Sequence, residues 1–437
     1  MINLHDSRPT VPVASARKKV ISPEMIFAYL VTFFSFANIA MGGDLFISEL
    51  LLFVYLVFSF NKFRHLSEPL PRKILLFGIL WLLSQIVTDV IRDTPSENYL
   101  RGWAAIIIFL VDFSAVYLII AKNVIRARMI VFAYALGLIF QFIVVPTEFG
   151  AFEPWKWALA LPITLLLLLY LEVRKTRAIL MLMVLVLLGL VDVYLNARSM
   201  GGITIISGLI IYLSRRATFR MMFRRQLNLG KMAVLAVVGI GGVGLILMTY
   251  QWAAESGFLP EDVTQKYEMD KSSKFGLFGL ILGGRGEIVV SAQAVMDSPI
   301  IGHGSWAEDR KYALMLLEVS KIFGLDREEA QPGTGVVQSD LIPAHSHIMQ
   351  AWVWAGLLGA IFWFVVLKFI FSALLSIMRY PNVLQPITVF FCIGAIWDIL
   401  FSPFGSIMRF LWALKLVVIW LAKEEAERAA HTVVAKI

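Results

Sequence analysis

Apolar runs of membrane-spanning length follow one another along almost the whole chain, and they decide what it can fold into. An α-helix rises 1.5 Å per residue, so about 20 apolar residues cross a hydrocarbon core of about 30 Å. Length and periodicity predict about twelve such helices. Their approximate cores are Met25 to Met41, Leu45 to Phe60, Ile74 to Ile91, Trp103 to Ala121, Met129 to Val145, Trp155 to Leu171, Ala178 to Leu195, Met200 to Leu213, Met232 to Tyr250, Ile348 to Phe371, Ile387 to Phe401 and Ile407 to Leu421. Gly42-Gly43-Asp44 makes the first two a hairpin. Of 437 residues, 59% are hydrophobic and only 16% are charged, a balance outside the soluble range. The expected fold class is an all-α polytopic membrane protein.

Lys and Arg in the connecting loops set the orientation, because they are retained on the cytoplasmic side. One alternating set of loops holds Lys62, Arg64, Arg72 and Lys73; Lys122, Arg126 and Arg128; Arg174, Lys175 and Arg177; and Arg215, Arg216, Arg220, Arg224, Arg225 and Lys231. The opposite short loops hold Arg92, Arg101 and Arg198. The predicted layout is a cytoplasmic tail over 1–24, helices 1 to 9 over 25–250, a large outer or periplasmic loop over 251–345, helices 10 to 12 over 346–422 and a cytoplasmic tail over 423–437. No cleavable signal peptide is expected, since the start is polar and basic and the first apolar run is long enough to span. Net charge is +8, but the basic residues sit beside membrane helices, so they read as topology determinants and not as a nucleic-acid surface. The single cysteine, Cys392, can make no intramolecular disulfide.

The outer loop is too long for a plain connection. Glu287 to Met296 and Trp306 to Phe323 place apolar residues at helical spacing, and both could lie on the membrane or cap a cavity. Between the second and the histidines, Asp326 to Thr334 is polar, holds Pro332-Gly333 and reads as a mobile loop.

Chemistry concentrates at the outer face. Arg198 precedes a helix of about fourteen apolar residues, several ångströms short of the hydrocarbon thickness, so its guanidinium either faces a wet cavity or snorkels at the interface. A guanidinium suits phosphate, since its planar fork gives bidentate charge-assisted bonds and it does not titrate. Arg92 and Arg101 are candidates of the same kind. Arg285 stands between glycines before a helix, where backbone amides are open to a ligand, although Gly-Gly-Arg-Gly completes no nucleotide fingerprint. His303, His345 and His347 all fall in the outer segment. Imidazole titrates near neutral pH, so either of the last two can take a proton from a sugar hydroxyl as general base; a structural pair is the alternative. His-X-His without clustered Cys, Asp or Glu is a thin basis for a metal, and none is expected. Asp192 and Asp398, near outer helix ends, either orient a His or an Arg or are satisfied structural carboxylates; Asp112 is the one carboxylate read as deep.

Arg285 with its following helix, Ser298-Pro299-Ile300-Ile301-Gly302-His303-Gly304, and Ala344-His345-Ser346-His347-Ile348-Met349-Gln350 followed by Gly356-Leu357-Leu358-Gly359 resemble the signature of the O-antigen ligase and polymerase superfamily. Asn196-Ala197-Arg198-Ser199 resembles its upstream Arg-Ser element. The resemblance implies a GT-C-type glycosyltransferase of the Gram-negative inner membrane, with both termini cytoplasmic and a periplasmic active site. It would move a glycan from an undecaprenyl diphosphate carrier to lipid A-core without nucleotide, metal or other cofactor. Arg198 and Arg285 become the diphosphate-binding residues and His345 the base. Ser346 stands where the family commonly has Asn, and His347 adds a second imidazole, so the base is His345 or His347. A polymerase or a protein O-oligosaccharyltransferase needs the same groups; a lipid-linked glycan transporter would need broken helices, a repeat and charges at mid-membrane.

Overall fold

The computed structural model describes residues 22–40, 44–216, 286–322 and 340–434, with scattered positions between 244 and 268. The chain is mostly α-helical. Among the described residues five helices are long and apolar enough to cross a membrane, namely Pro69–Ile91, Ser96–Ile120, Val124–Val144, Trp155–Val173 and Leu357–Arg379. Shorter apolar helices cover Pro23–Phe33, Ile47–Phe58, Ala178–Tyr194 and Gln385–Phe401, a layout consistent with a multi-pass membrane protein. The predicted span from Met232 to Tyr250 falls largely outside the described residues, as do Arg285 and the loop from Asp326 to Thr334.

In chain order the helices are α1 (Pro23–Phe33), α2 (Ile47–Phe58), α3 (Pro69–Ile91), α4 (Ser96–Ile120), α5 (Val124–Val144), α6 (Glu148–Phe152), α7 (Ala160–Val173), α8 (Ala178–Tyr194), α9 (Arg198–Arg215), α10 (Gly286–Asp297), α11 (Arg310–Ile322), α12 (His347–Ala355), α13 (Leu357–Arg379), α14 (Gln385–Phe401) and α15 (Met408–Val434). Local chemistry sets several starts. Pro23 and Pro69 open α1 and α3, where a missing N–H costs nothing. Asn123 caps α5 by accepting from Ile125 N at 2.9 Å, and Ser346 caps α12 by accepting from Met349 N at 3.3 Å.

Two apolar runs depart from the expected single helices. The first ends as a helix at Phe33, and Asn38–Ala40 then pairs antiparallel with Asp44–Phe46, with Asn38 Nδ2 donating to Asp44 Oδ1 at 3.0 Å. The tenth breaks at Gly356, whose φ is +68°. There Leu357 N donates to Ile300 O at 3.1 Å instead of continuing the ladder of α12, and a Cβ on Gly356 would collide with that same carbonyl. The segment around Ile300 thus packs into the break between α12 and α13.

α10 and α11, with the chain entering α12 and α12 itself, form a small core of their own, with Val290, Ala294, Tyr312, Leu316, Ile342 and Val353 buried together. α11 starts four residues later than its apolar pattern predicts, because the stretch before it pairs with the chain entering α12: Ile342 N donates to Ala307 O at 2.9 Å and Asp309 N to Asp340 O at 2.6 Å. Lys311 and Tyr312 both hydrogen-bond Asp297 Oδ2 at 2.6 Å, locking α10 to α11 and holding the Asp297 carboxyl well below the usual aspartate range.

α15 runs through the middle of the bundle, and every residue from Leu411 to Ala422 is buried. It is apolar nearly all round, as a helix surrounded by other helices must be. At one end of the bundle the basic loops converge on carboxylates: Lys62 and Arg126 meet Glu24 at 2.6 and 3.5 Å, and Lys122 meets Glu68 at 2.6 Å.

Candidate functional site

The motif Ser298 to Ser305 is built as a strap across the end of α3. Asp89, buried on α3, accepts from Ser305 N at 2.6 Å, Ser305 Oγ at 2.7 Å and Trp103 Nε1 at 2.8 Å. Arg92 at the C-cap of α3 donates from Nε to Gly302 O at 3.0 Å and from Nη2 to Ser298 Oγ at 2.7 Å. Gly304, with φ +100°, lies so close to the end of α3 and the turn after it that a Cβ there would collide with Thr94 Oγ1. His303 donates from Nε2 to Ala294 O at 2.8 Å and stacks its ring edge-on against Tyr312. Arg92 and His303 therefore both brace this strap. Arg101 makes an exposed pair with Glu97 at 2.6 Å, one turn apart on α4.

The two candidate bases are placed very differently by the start of α12. His347 is fully buried. Trp412 Nε1 donates to its Nε2 at 2.6 Å, and its Nδ1 donates to Ser402 O at 2.5 Å. An indole can only donate and a carbonyl can only accept, so the ring is a neutral Nδ1–H tautomer with both nitrogens spent. It presents no lone pair to an acceptor hydroxyl. His345 instead has 57% of its side chain exposed, and its Nδ1 lies 3.0 Å from Oε2 of Glu287 in the first turn of α10. The split falls at the start of α12: His345 lies on the irregular chain before the helix, whereas the N-cap Ser346 turns inward, donating to Ile399 O at 2.8 Å, and His347 follows it as the first helical residue. Arg285 is outside the described residues, but Gly286 and Glu287 open α10, so the motif Gly-Arg-Gly-Glu and the histidine element meet through Glu287 and His345.

Arg198 opens α9, and its Nη1 donates to Tyr250 OH at 3.1 Å with the guanidinium 5.5 Å from the ring centroid. Of the two carboxylates expected to orient a His or an Arg, Asp192 accepts from Trp155 Nε1 at 2.8 Å and from Thr204 Oγ1 at 3.3 Å, fastening α8 to α9 and to the turn before α7. Asp398 pairs with Lys415 at 2.6 Å and accepts from Ser402 Oγ at 3.3 Å; through Ser402 it borders His347, not His345. Both carboxylates thus have hydrogen-bonding or ionic partners in place.

Sequence reasoning passed over Glu287, Tyr250, Asp89 and the buried cations Lys415 and Arg409. A usable signal existed for three of them. Glu287 stands inside the motif that drew attention to Arg285, and a cation within an apolar run, as Lys415 and Arg409 are, calls for a partner. Lys156 lies at the start of the span Trp155–Val173, in a π-helical turn, Trp155–Leu159, and meets Glu153 at 2.6 Å. That pairing, with further donors from Trp157 and Asn196, holds the Glu153 carboxyl below its ordinary range despite its burial. Among the described residues no group of three or more His, Cys, Asp or Glu side chains is arranged to hold a metal ion. No protein-family model matches the chain, and no curated protein matches it as a relative.

Proposed function

We propose that the chain is a lipid-linked glycan transferase with His345 as general base. Among the titratable groups flanking the break between α12 and α13, His345 is the exposed imidazole, and the observation that carries the reading is its pairing with Glu287 directly beside the Arg285 motif. In the full reading the protein spans the Gram-negative inner membrane about twelve times as a GT-C-type glycosyltransferase, with both termini cytoplasmic and His345 periplasmic. It transfers polysaccharide from undecaprenyl diphosphate to lipid A-core, as an O-antigen ligase does. His345 takes the proton of an acceptor hydroxyl, the hydroxyl oxygen bonds to the anomeric carbon, and the bond from that carbon to the diphosphate oxygen breaks with inversion. The guanidiniums of Arg198 and Arg285 offset the charge released on the diphosphate, which is the role a divalent cation fills elsewhere.

The test is transfer by purified protein in detergent, given undecaprenyl diphosphate-linked glycan and lipid A-core in the presence of EDTA. Wild type is expected to form glycan-bearing lipid A-core and His345→Ala to lose at least about a hundredfold in rate, the usual share of a general base. Lengthening of the carrier-linked glycan with bare lipid A-core would make the chain a polymerase. Full activity of His345→Ala would end the assignment of the base, and retention of anomeric configuration would end direct displacement.

A further inference from the structure

We infer that Glu287 is the positioning residue of His345, fixing which ring nitrogen faces the acceptor; the inference rests on the reading of His345 as base. Three observations carry it. His345 Nδ1 lies 3.0 Å from Glu287 Oε2, and Glu287 is the protected member of the pair, with 10% of its side chain exposed against 57% for His345. Glu287 is anchored in the first turn of α10, where a carboxylate also meets the free amides and the positive end of the helix dipole. α10 in turn is clamped by Asp297 to Lys311 and Tyr312 of α11 and by His303 to the strap, so the carboxylate stands on a braced element while His345 stands on the irregular chain entering α12.

A carboxylate facing Nδ1 makes it the protonated nitrogen and leaves the Nε2 lone pair to accept a proton. The same carboxylate then faces an imidazolium once the acceptor has been deprotonated, so the ion pair strengthens as the reaction proceeds and acts on the barrier more than on substrate binding. Without it the ring is free to rotate and to take the other tautomer, which presents N–H where a lone pair is needed. The buried His347 provides an internal comparison, because Ser402 O and Trp412 set its tautomer by the same logic but leave it nothing to offer.

Two readouts test this on the full-length protein in detergent. In two-bond proton–nitrogen spectra of histidine-labelled protein, assigned with His345→Ala, wild-type His345 is expected to show the Nδ1–H pattern. Glu287→Ala is expected to show a mixture, and Glu287→Gln, whose amide oxygen still accepts, is expected to keep the wild-type pattern. In the transfer assay Glu287→Ala should lower kcat on the order of a hundredfold, and Glu287→Gln about tenfold, with KM changed by less than about threefold. An unchanged tautomer in Glu287→Ala overturns the inference, as does a loss confined to KM. If His345→Ala transfers glycan as fast as wild type, the proposed function falls, and the spectra alone still decide whether Glu287 sets the ring.

Discussion

At the scale of single residues, adjacent members of one motif have opposite jobs. His345 and His347 differ in what surrounds them, and under the proposed function the difference separates activity from stability. His347→Ala removes the acceptor of the Trp412 indole and the donor to Ser402 O, both within the packed ring cluster of Trp363, Phe404 and Trp412. Each orphaned buried partner costs about 1–3 kcal/mol, so this variant should unfold at lower temperature in detergent. His345→Ala leaves a half-open position empty and should unfold within about 1 °C of wild type, since exposed substitutions change stability little. Thermal unfolding of the two variants checks this, and a larger loss in His345→Ala than in His347→Ala would reverse the assignment. The sequence placed both histidines at the site but could not rank them, because what ranks them is Trp412 and Ser402, which lie more than fifty positions away along the chain.

At the scale of elements, the strap from Ser298 to Ser305 and the break at Gly356 are a single device, in which one carbonyl, Ile300 O, serves as the partner that α12 cannot provide. A methyl at Gly356 meets that backbone carbonyl and its neighbours, which cannot rotate away as a side chain could, and the φ of +68° is strained for any other residue. Gly202 on α9, by contrast, has open space where its Cβ would stand. Gly356→Ala is therefore expected to cost at least about 1–3 kcal/mol of backbone strain, and Gly202→Ala to be neutral or to stabilise by up to about 1 kcal/mol. Unfolding midpoints of the two variants give the comparison. The α10–α11 lock predicts a pH response as well. Hydrogen bonds from Lys311 and Tyr312 depress Asp297, so its stabilising effect is present above the unfolded aspartate value of about 3.9 and is lost as pH falls through the lower folded value. Hydrogen exchange across α10 and α11 should rise on acidification below about pH 4, and Asp297→Asn should show raised exchange already at neutral pH. Element existence was largely legible: the α8 and α14 runs came out within two residues, since Arg177 and Asn196 bound the first apolar run and Pro386 and Pro403 mark the ends of the second. The break of the tenth run was not, because Gly356 becomes a break only through Ile300, a tertiary partner.

At the scale of the molecule, the two ends of the chain are joined inside the bundle by charge. Arg409 of α15 forks onto Glu49 of α2, with Nε to Oε1 at 2.7 Å and Nη2 to Oε2 at 2.9 Å, and Nη2 also donates to Asp44 O at 2.7 Å. Both side chains are nearly sealed from solvent, at 6% and 2% exposure. Six residues further along the same helix, Lys415 meets Asp398 of α14 at 2.6 Å. The deep charges are therefore more numerous than Asp112, the one read from sequence, and four of them are paired. Asp112 itself is fully buried, with no hydrogen-bond partner for either oxygen among the described residues. The Arg409–Glu49 pair joins residues 360 positions apart, which no local pattern discloses, whereas Lys415 and Asp398 are 17 apart on successive helices; only the rule that an intramembrane charge needs a partner hints at either. Desolvating an ion pair costs about as much as the pair returns, whereas stranding one partner leaves a charge with nothing to face, so the pairs fix how the helices dock more than they add net stability. Arg409→Met should accordingly destabilise by about 3–5 kcal/mol, and the double variant Arg409→Met with Glu49→Met should recover most of that loss. Unfolding of the two single variants and the double variant in one detergent closes the cycle. Additive losses would mean that Arg409 and Glu49 act independently, and the ends of the chain would then owe their docking to apolar packing alone.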